Sequence, residues 1–356
     1  MNHISSKNTL FEVKDVDREV YARRLRDFLP NDIIDIHTHV WRASDFAQKR
    51  KRNADTVSWP ALVARDNPIE DLMETYQLLL PGKRVTPLIF ATLPEGGNLD
   101  IQNAYVAECS RKAKVPALLF TEPSWSAAEL EKRTIAGGFL GAKSYLSLTP
   151  SYIPAKERRI FDFFPRHQLE VHNQHGWIIM LHIPRDGRLK DPVNLAQLLE
   201  IERDFPNIKL IVAHVGRAYC DEDVGNAFEV LAQTKRMSFD FCANTNARIF
   251  EQLLKCVGPK RVLFGTDLPI LRMRMRRITK EGYYVNIVPK GMYGDVSGDK
   301  NMAEVEGAEA EKLTFFLYEE LEAFRFAAER IGLSRADLDD VFHNNARRLI
   351  DHTAPR

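Results

Sequence analysis

DIIDIHTHV, residues 32–40, decides how the rest of the chain reads. Asp32–His37 is a short, nearly continuous apolar run ending on a histidine, and His39 follows two residues later. Continuous apolar character, without alternation, marks a strand covered on both faces. Seven further runs of this kind follow: Val85–Ala91, Pro116–Phe120, Gly138–Ser144, Trp177–His182, Ile208–His214, Met237–Cys242 and Arg261–Thr266. Pro87 has no N–H for a ladder bond, so the second strand is expected to start after it.

Helix punctuation fills the intervals. Asn67-Pro68-Ile69-Glu70 reads as an N-cap, a proline in the first helical position and a capping-box acid. Ser126-Ala127-Ala128-Glu129 is a second capping box, Asp191-Pro192 opens another helix, and Gly176 stops the Glu157–His175 segment. A strand followed by a helix, eight times over, implies a parallel sheet. Eight units favour a closed (β/α)₈ TIM barrel over an open sheet, with Ser334–Ile350 as a C-terminal helix behind it. No GxGxxG or GxxxxGK[ST] loop follows the early strands, so a nucleotide-binding fold lacks its phosphate cradle.

Composition narrows the function classes. The 356 residues are 44% hydrophobic and 28% charged, ordinary values for a globular protein. With 50 Lys and Arg against 49 Asp and Glu, the formal charge is +1, so no global attraction to nucleic acid or an anionic membrane is expected. No apolar run approaches the ~20 residues of a membrane span, and the polar N-terminus has no signal-peptide core. Cys109, Cys220, Cys242 and Cys256 form no CxxC pair, which points to reduced thiols in a cytoplasmic protein and away from a cysteine-based metal site. QKRKRN, residues 48–53, reads as a solvated loop.

Six ionisable residues sit where the apolar runs end: His37, His39, Lys143, His182, His214 and Asp267. In a parallel barrel all strand C-termini open on one face, where active sites lie. His37 and His39, two apart, leave a strand on the same side. Neutral imidazoles with a carboxylate suit Zn²⁺ and related divalent metals. His182 or His214 alone would read as a buried, hydrogen-bonded side chain; together the set reads as a metal site. His167, His172 and His175 share one helical segment, where an exposed or dipole-facing role is the ordinary expectation.

The ordered motifs DIHTH, GAK, MLH, VAHVG, FGTD and NNARRL resemble the amidohydrolase superfamily over nearly the whole chain. The resemblance is closer to the branch containing aminocarboxymuconate-semialdehyde decarboxylase and many metal-dependent hydrolases (the amidohydrolase 2 family). It implies His37, His39 and His182 as metal ligands, with Asp267 as a further ligand or as the base on bound water. His214 would hold a second metal or orient water and polarise the substrate. Lys143 would be either carboxylated, bridging two metals, or unmodified and bound to substrate. We expect one divalent ion, most simply Zn²⁺, with Lys143 on an anionic substrate. The resemblance also suggests a structural asparagine in the C-terminal helix.

Arg185 and Arg217 each lie three residues beyond a strand-end histidine, where a guanidinium forks onto carboxylate or phosphate. Arg272, Arg274 and Arg276 alternate with Met273 and Met275, which in an extended segment sets the arginines on one side; Arg272, nearest Asp267, is the candidate for the site. Trp41 is placed to wall the pocket, and Tyr145 to donate a hydrogen bond from the side of the strand that Lys143 occupies.

The expectation is one domain over residues 1–356 that hydrolyses an ester, lactone or amide in a small anionic substrate, as a homo-oligomer. A non-oxidative decarboxylase is the alternative; a metal-free binding barrel is a third. Residues 1–31 are an N-terminal extension, and 41–66 and 268–310 are insertions after strands 1 and 8 on the catalytic face. Without these pieces the chain is close to the ~250 residues typical of the barrel.

Overall fold

The computed structural model describes residues 10–45, 60–92 and 98–353. Each of the eight apolar runs contains a strand: β1 Asp32–His39, β2 Arg84–Phe90, β3 Leu119–Phe120, β4 Gly141–Lys143, β5 Ile178–Leu181, β6 Lys209–Val212, β7 Ser238–Asp240 and β8 Val262–Leu263. β1 pairs with β2, and β3 through β8 pair in sequence order, all in parallel. Backbone hydrogen bonds close both seams. Ile89 N donates to Pro116 O (3.0 Å) and Leu118 N to Ile89 O (3.0 Å), while Ile36 N donates to Phe264 O (3.0 Å) and His39 N to Leu268 O (2.9 Å). The ring of eight parallel strands is the TIM barrel expected of the sequence.

Its interior is a packed core. Ile34, Ile36, Leu88, Phe90, Ile178, Met180, Ile211 and Leu263 form a cluster separate from the larger apolar layer between strands and helices. Ala346 of the final helix, Asn345–Asp351, joins that cluster from the other end. The asparagine expected there is Asn345, whose Nδ2 donates to Pro259 O and Val262 O, both at 2.8 Å. The GAK motif has a steric reason: at Gly141 (φ +146°), a Cβ would lie 1.9 Å from the Ile178 carbonyl oxygen of the neighbouring strand.

Two local expectations are corrected. β2 starts at Arg84, with Pro87 inside it opposite Asp35. The N–H of Ile89 points towards β3, so the nitrogen of Pro87, two residues earlier, looks the same way, before β3 has begun; no ladder bond is lost there. Asn67 is not a helix cap, since the helix runs Ile69–Leu79 with Pro68 in the cap position. Asn67 is buried and donates instead to the His39 carbonyl (2.6 Å). Ser126, Asp191 and Gly176 terminate their helices as expected.

The long connection after β8 holds a small sheet. β9 (Arg276–Lys280) and β10 (Tyr283–Pro289) form an antiparallel hairpin, and β11 (Met302–Val305) runs parallel to β10. Glu281 and Gly282 both have positive φ, as a two-residue hairpin turn requires. The arginines before this hairpin do not share one side. Arg274 is buried in a two-pronged pair with Asp17 of the N-terminal helix Asp15–Val20 (3.0 and 2.6 Å), Arg272 is buried elsewhere, and Arg276 is exposed. The insertion after β1 is described only at its ends, and QKRKRN lies outside the described residues. No helix among the described residues is long and apolar enough to cross a membrane.

Candidate metal centre

β1 shifts register against β2 between Asp35 and Thr38, where the two site histidines begin. Asp35, fully buried, pins this end of the strand. It accepts from His37 N (3.1 Å), Tyr76 Oη (2.7 Å), Thr266 N (3.0 Å) and Thr266 Oγ1 (2.5 Å), tying β1 to the loop after β8. Burial pushes its carboxyl up to about 7 against those bonds. The His37 and His39 rings lie 5.7 Å apart, and both pack on Phe90.

Each ring has its tautomer set from behind. His37 Nδ1 meets Asp240 Oδ2 at 2.9 Å, and His39 Nδ1 meets the Ala91 carbonyl at 2.9 Å. A carbonyl only accepts, so His39 carries its proton on Nδ1, and the Asp240 carboxylate sets His37 the same way. Burial lowers the pKa of His37 to about 4, although Asp240 opposes the shift. Both Nε2 atoms therefore present lone pairs, and both face Asp267 Oδ1, at 3.6 Å from His37 and 3.2 Å from His39. Burial raises the Asp267 carboxyl, but its contact with His39 and the neighbouring His37 and His214 imidazoles outweigh that and hold the group well below the usual carboxylate range.

Three electron-pair donors thus converge with no proton between them. At a Zn–N distance of ~2.0–2.1 Å, tetrahedral ligand atoms lie roughly 3.3 Å apart; the two imidazole–carboxylate separations here are 3.6 and 3.2 Å, and all three atoms lie within 4.8 Å of one another. His182 is also buried, with Nδ1 unpartnered, its ring 5.2 Å from that of His214 and 4.8 Å from that of Tyr145. Burial holds His182 well below its usual pKa, with Arg217 the next cause. This donor set fits a divalent cation. His182 stands beside the His37–His39–Asp267 group and not within it.

His214 reaches the centre from the turn after β6. Its N–H donates to Asp240 Oδ1 (2.7 Å), and Nδ1 lies 3.1 Å from the Cys242 carbonyl. The Cys242 thiol completes a second cluster with His37 and His214. Its atoms already serve the protein: the two Nδ1 groups donate to Asp240 and to Cys242 O, and Sγ donates to Asp240 Oδ1 (3.0 Å). Burial keeps that thiol well above its ordinary pKa, hence protonated. His214, Val215, Arg217, Ala243 and Asp267 all have φ between 49° and 58°, a strained region for residues with a Cβ, and all five surround this centre.

Lys143 is 2% exposed, with Nζ 5.6 Å from the Phe90 ring centre, and burial lowers its pKa to about 8. Tyr145 flanks His182. Arg217 donates weakly to the carbonyls of Ile183, Pro184 and Arg185 at 3.3–3.4 Å. Three candidates take other partners. Arg185 Nε pairs with Asp191 (3.0 Å), the salt bridge to a neighbouring loop acid that is the ordinary role of such an arginine. Arg272 Nη2 donates to Asn67 Oδ1 (2.5 Å) and so supports His39 from behind. Trp41 Nε1 donates to Arg65 O (3.0 Å), and its ring is buried against that loop.

Sequence reasoning passes over Asp240, which contacts His37, His214 and Cys242 at once. It ends β7 inside MSFDFC, the strand-end position that singles out the other six. Asp35 and Asn67 carry no comparable signal, because their role depends on partners distant in sequence.

The Amidohydrolase family model (Amidohydro_2) matches residues 34–351, so the chain belongs to the amidohydrolase 2 family. A search of curated proteins finds no match. Solved structures share the fold. An amidohydrolase from Burkholderia multivorans with bound zinc is 14% identical, with a TM-score of 0.54 over 91% of this chain and 99% of its own. A probable 2-pyrone-4,6-dicarboxylic acid hydrolase from Acinetobacter baumannii, with citric acid bound, is 13% identical, with a TM-score of 0.54 over 90% of this chain and 100% of its own. A 2,6-dihydroxybenzoate decarboxylase is 15% identical, with a TM-score of 0.53 over 90% and 100%.

Proposed function

We propose that the chain is a divalent-metal-dependent hydrolase acting on an ester, lactone or amide bond in a small anionic substrate. The observation that carries this reading is the convergence of His37 Nε2, His39 Nε2 and Asp267 Oδ1, with the opposite ring nitrogens of the two histidines held by Asp240 and the Ala91 carbonyl. His37, His39 and Asp267 would hold one ion, Zn²⁺ most simply, with His182 Nδ1 as the further donor. When bound, such an ion supplies Lewis acidity and lowers the pKa of water to about 7.

The chain's own residues do the rest. Asp267, held ionised, accepts a proton from water at Oδ and returns it to the leaving group. His214, with Nδ1 fixed on a carbonyl, offers Nε2 to orient that water. Lys143 and Arg217 hold the substrate anion away from the scissile bond, which converts binding energy into orientation.

The test is turnover of lactone and aromatic-acid panels by the metal-loaded protein, with and without chelation. Acid release without CO₂, lost on chelation and in Asp267→Asn, supports the reading. Released CO₂, or substantial activity in Asp267→Asn, refutes it.

A further inference from the structure

A buried carboxyl with one oxygen unpaired is costly to a fold and calls for an explanation. Glu320 lies on the helix Phe316–Ile331, is 0% exposed, and has no partner for Oε1 among the described residues. Its Oε2 accepts from Ala243 N at 2.6 Å. One helical turn on and on the same face, Phe324 stacks on Phe241, with ring centres 4.3 Å apart and planes 8° from parallel. That stack fixes the helix against the loop after β7, so Glu320 meets the loop with little freedom.

The N–H that Glu320 holds belongs to the Cys242–Ala243 peptide. The C=O and N–H of a trans peptide point in opposite directions, and the C=O of this one lies 3.1 Å from His214 Nδ1. One peptide unit therefore joins the two side chains, from Glu320 Oε2 through Ala243 N–H and Cys242 C=O to His214 Nδ1–H. Ala243 has φ +53°, a costly conformation for a residue with a Cβ, and its own C=O accepts from Arg277 Nη1 (2.5 Å). Gripped at its N–H by the carboxyl and at its C=O by the guanidinium, Ala243 is kept from relaxing. A carboxyl accepting at one end of a peptide also polarises the carbonyl at the other, which strengthens the bond to the imidazole.

We propose that Glu320 is a positioning residue for His214, acting across the Cys242–Ala243 peptide to keep the imidazole proton on Nδ1 and leave Nε2 its lone pair. The proposal rests on the metal-dependent reading for what Nε2 does, and deepens it by naming what holds the ring. Asp240 grips His214 at its backbone N–H, not at its ring. Cys242 Sγ, 3.1 Å from Nδ1, is a weak acceptor beside the Cys242 carbonyl. Burial pushes the Glu320 carboxyl well above its ordinary pKa, which makes the neutral amide of glutamine its fair substitute.

Nitrogen NMR of the chelated full chain, with labelled histidine and His214 assigned by its loss in His214→Gln, reads the tautomer without turnover. Kinetics of the metal-loaded chain read the consequence. Wild-type His214 should show a protonated Nδ1 and an unprotonated Nε2. Glu320→Met removes the acceptor at similar volume, and Glu320→Asp withdraws it by one methylene. Both should move the two nitrogen signals toward the averaged positions of a free imidazole and lower kcat about tenfold or more, with KM changed by no more than about twofold. Glu320→Gln should keep both signals and most of kcat. If Glu320→Met does not fold, Glu320→Asp decides. A wild-type proton on Nε2, unchanged signals in the Met and Asp variants, or a Gln variant displaced as far as they are would overturn the proposal. A tautomer that depends on Glu320 in a chain without metal-dependent turnover would uphold it while sinking the metal-dependent reading. Metal-dependent turnover with a tautomer indifferent to Glu320 would do the reverse.

Discussion

Asp240 is the residue on which the centre turns. One oxygen takes the His37 ring proton, and the other takes the His214 backbone N–H and the Cys242 thiol. Losing its charge frees the His37 tautomer and leaves buried donors unpaired. Asp240→Asn should weaken metal affinity by ~10–100-fold while the fold survives, measured by competition with a chelating dye; unchanged affinity would mean that His37 is oriented by packing alone. Strand-end histidines were legible because each terminates its own apolar run. Asp240 was not, because it precedes Phe241 and Cys242 within one.

His172 departs from the exposed role expected of it. It is fully buried between Phe164 and Trp177 with both ring nitrogens unpartnered, and burial lowers its pKa to about 3. In the unfolded chain it titrates near 6.5. Between about pH 6.5 and 3 the unfolded chain therefore binds a proton that the folded chain refuses. Stability falls as pH drops through that window, by roughly 3–5 kcal/mol in all, and levels off below it. His172→Phe removes this term, so denaturant midpoints should shift in its favour more at pH 4 than at pH 7.5. An equal shift at both pH values would contradict the buried neutral imidazole.

At the scale of elements, the N-terminal helix is fastened to the segment after β8 by Asp17 and Arg274. Their side chains are 0% and 5% exposed, and Arg274 also donates to Leu313 O (2.6 Å). Removing one member leaves a buried charge alone, so Asp17→Ala should cost ~3–5 kcal/mol in chemical denaturation. Asp17→Ala and Arg274→Ala combined should cost less than the sum of the two; strict additivity would refute the coupling.

The eight barrel strands were readable because burial on both faces demands continuous apolar sequence. The sheet after β8 was not: RRITK is exposed along almost its whole length, so its residues carry polar identities that resemble a loop. The arginine alternation misled for a related reason. Ile270–Arg272 forms a 3₁₀ turn, which breaks the period of two before Arg274.

Over the whole molecule, a formal charge of +1 coexists with Lys143 and Arg217 beside the centre; Lys143 has no carboxylate within 4.0 Å among the described residues, and Arg217 has one at 4.0 Å. The barrel was legible through the order of its strands, and the donor set through their endings. The small sheet after β8 was less so, because its residues take their meaning from contacts distant in sequence. The central claim is that His37, His39 and Asp267 hold a divalent ion, and metal analysis of the purified full chain tests it most directly. The account predicts about one equivalent of divalent metal per chain, retained through desalting and lost in a His37→Ala, His39→Ala variant that still folds. A chain with no metal and no affinity for added Zn²⁺, or a double variant that retains its ion, would contradict it.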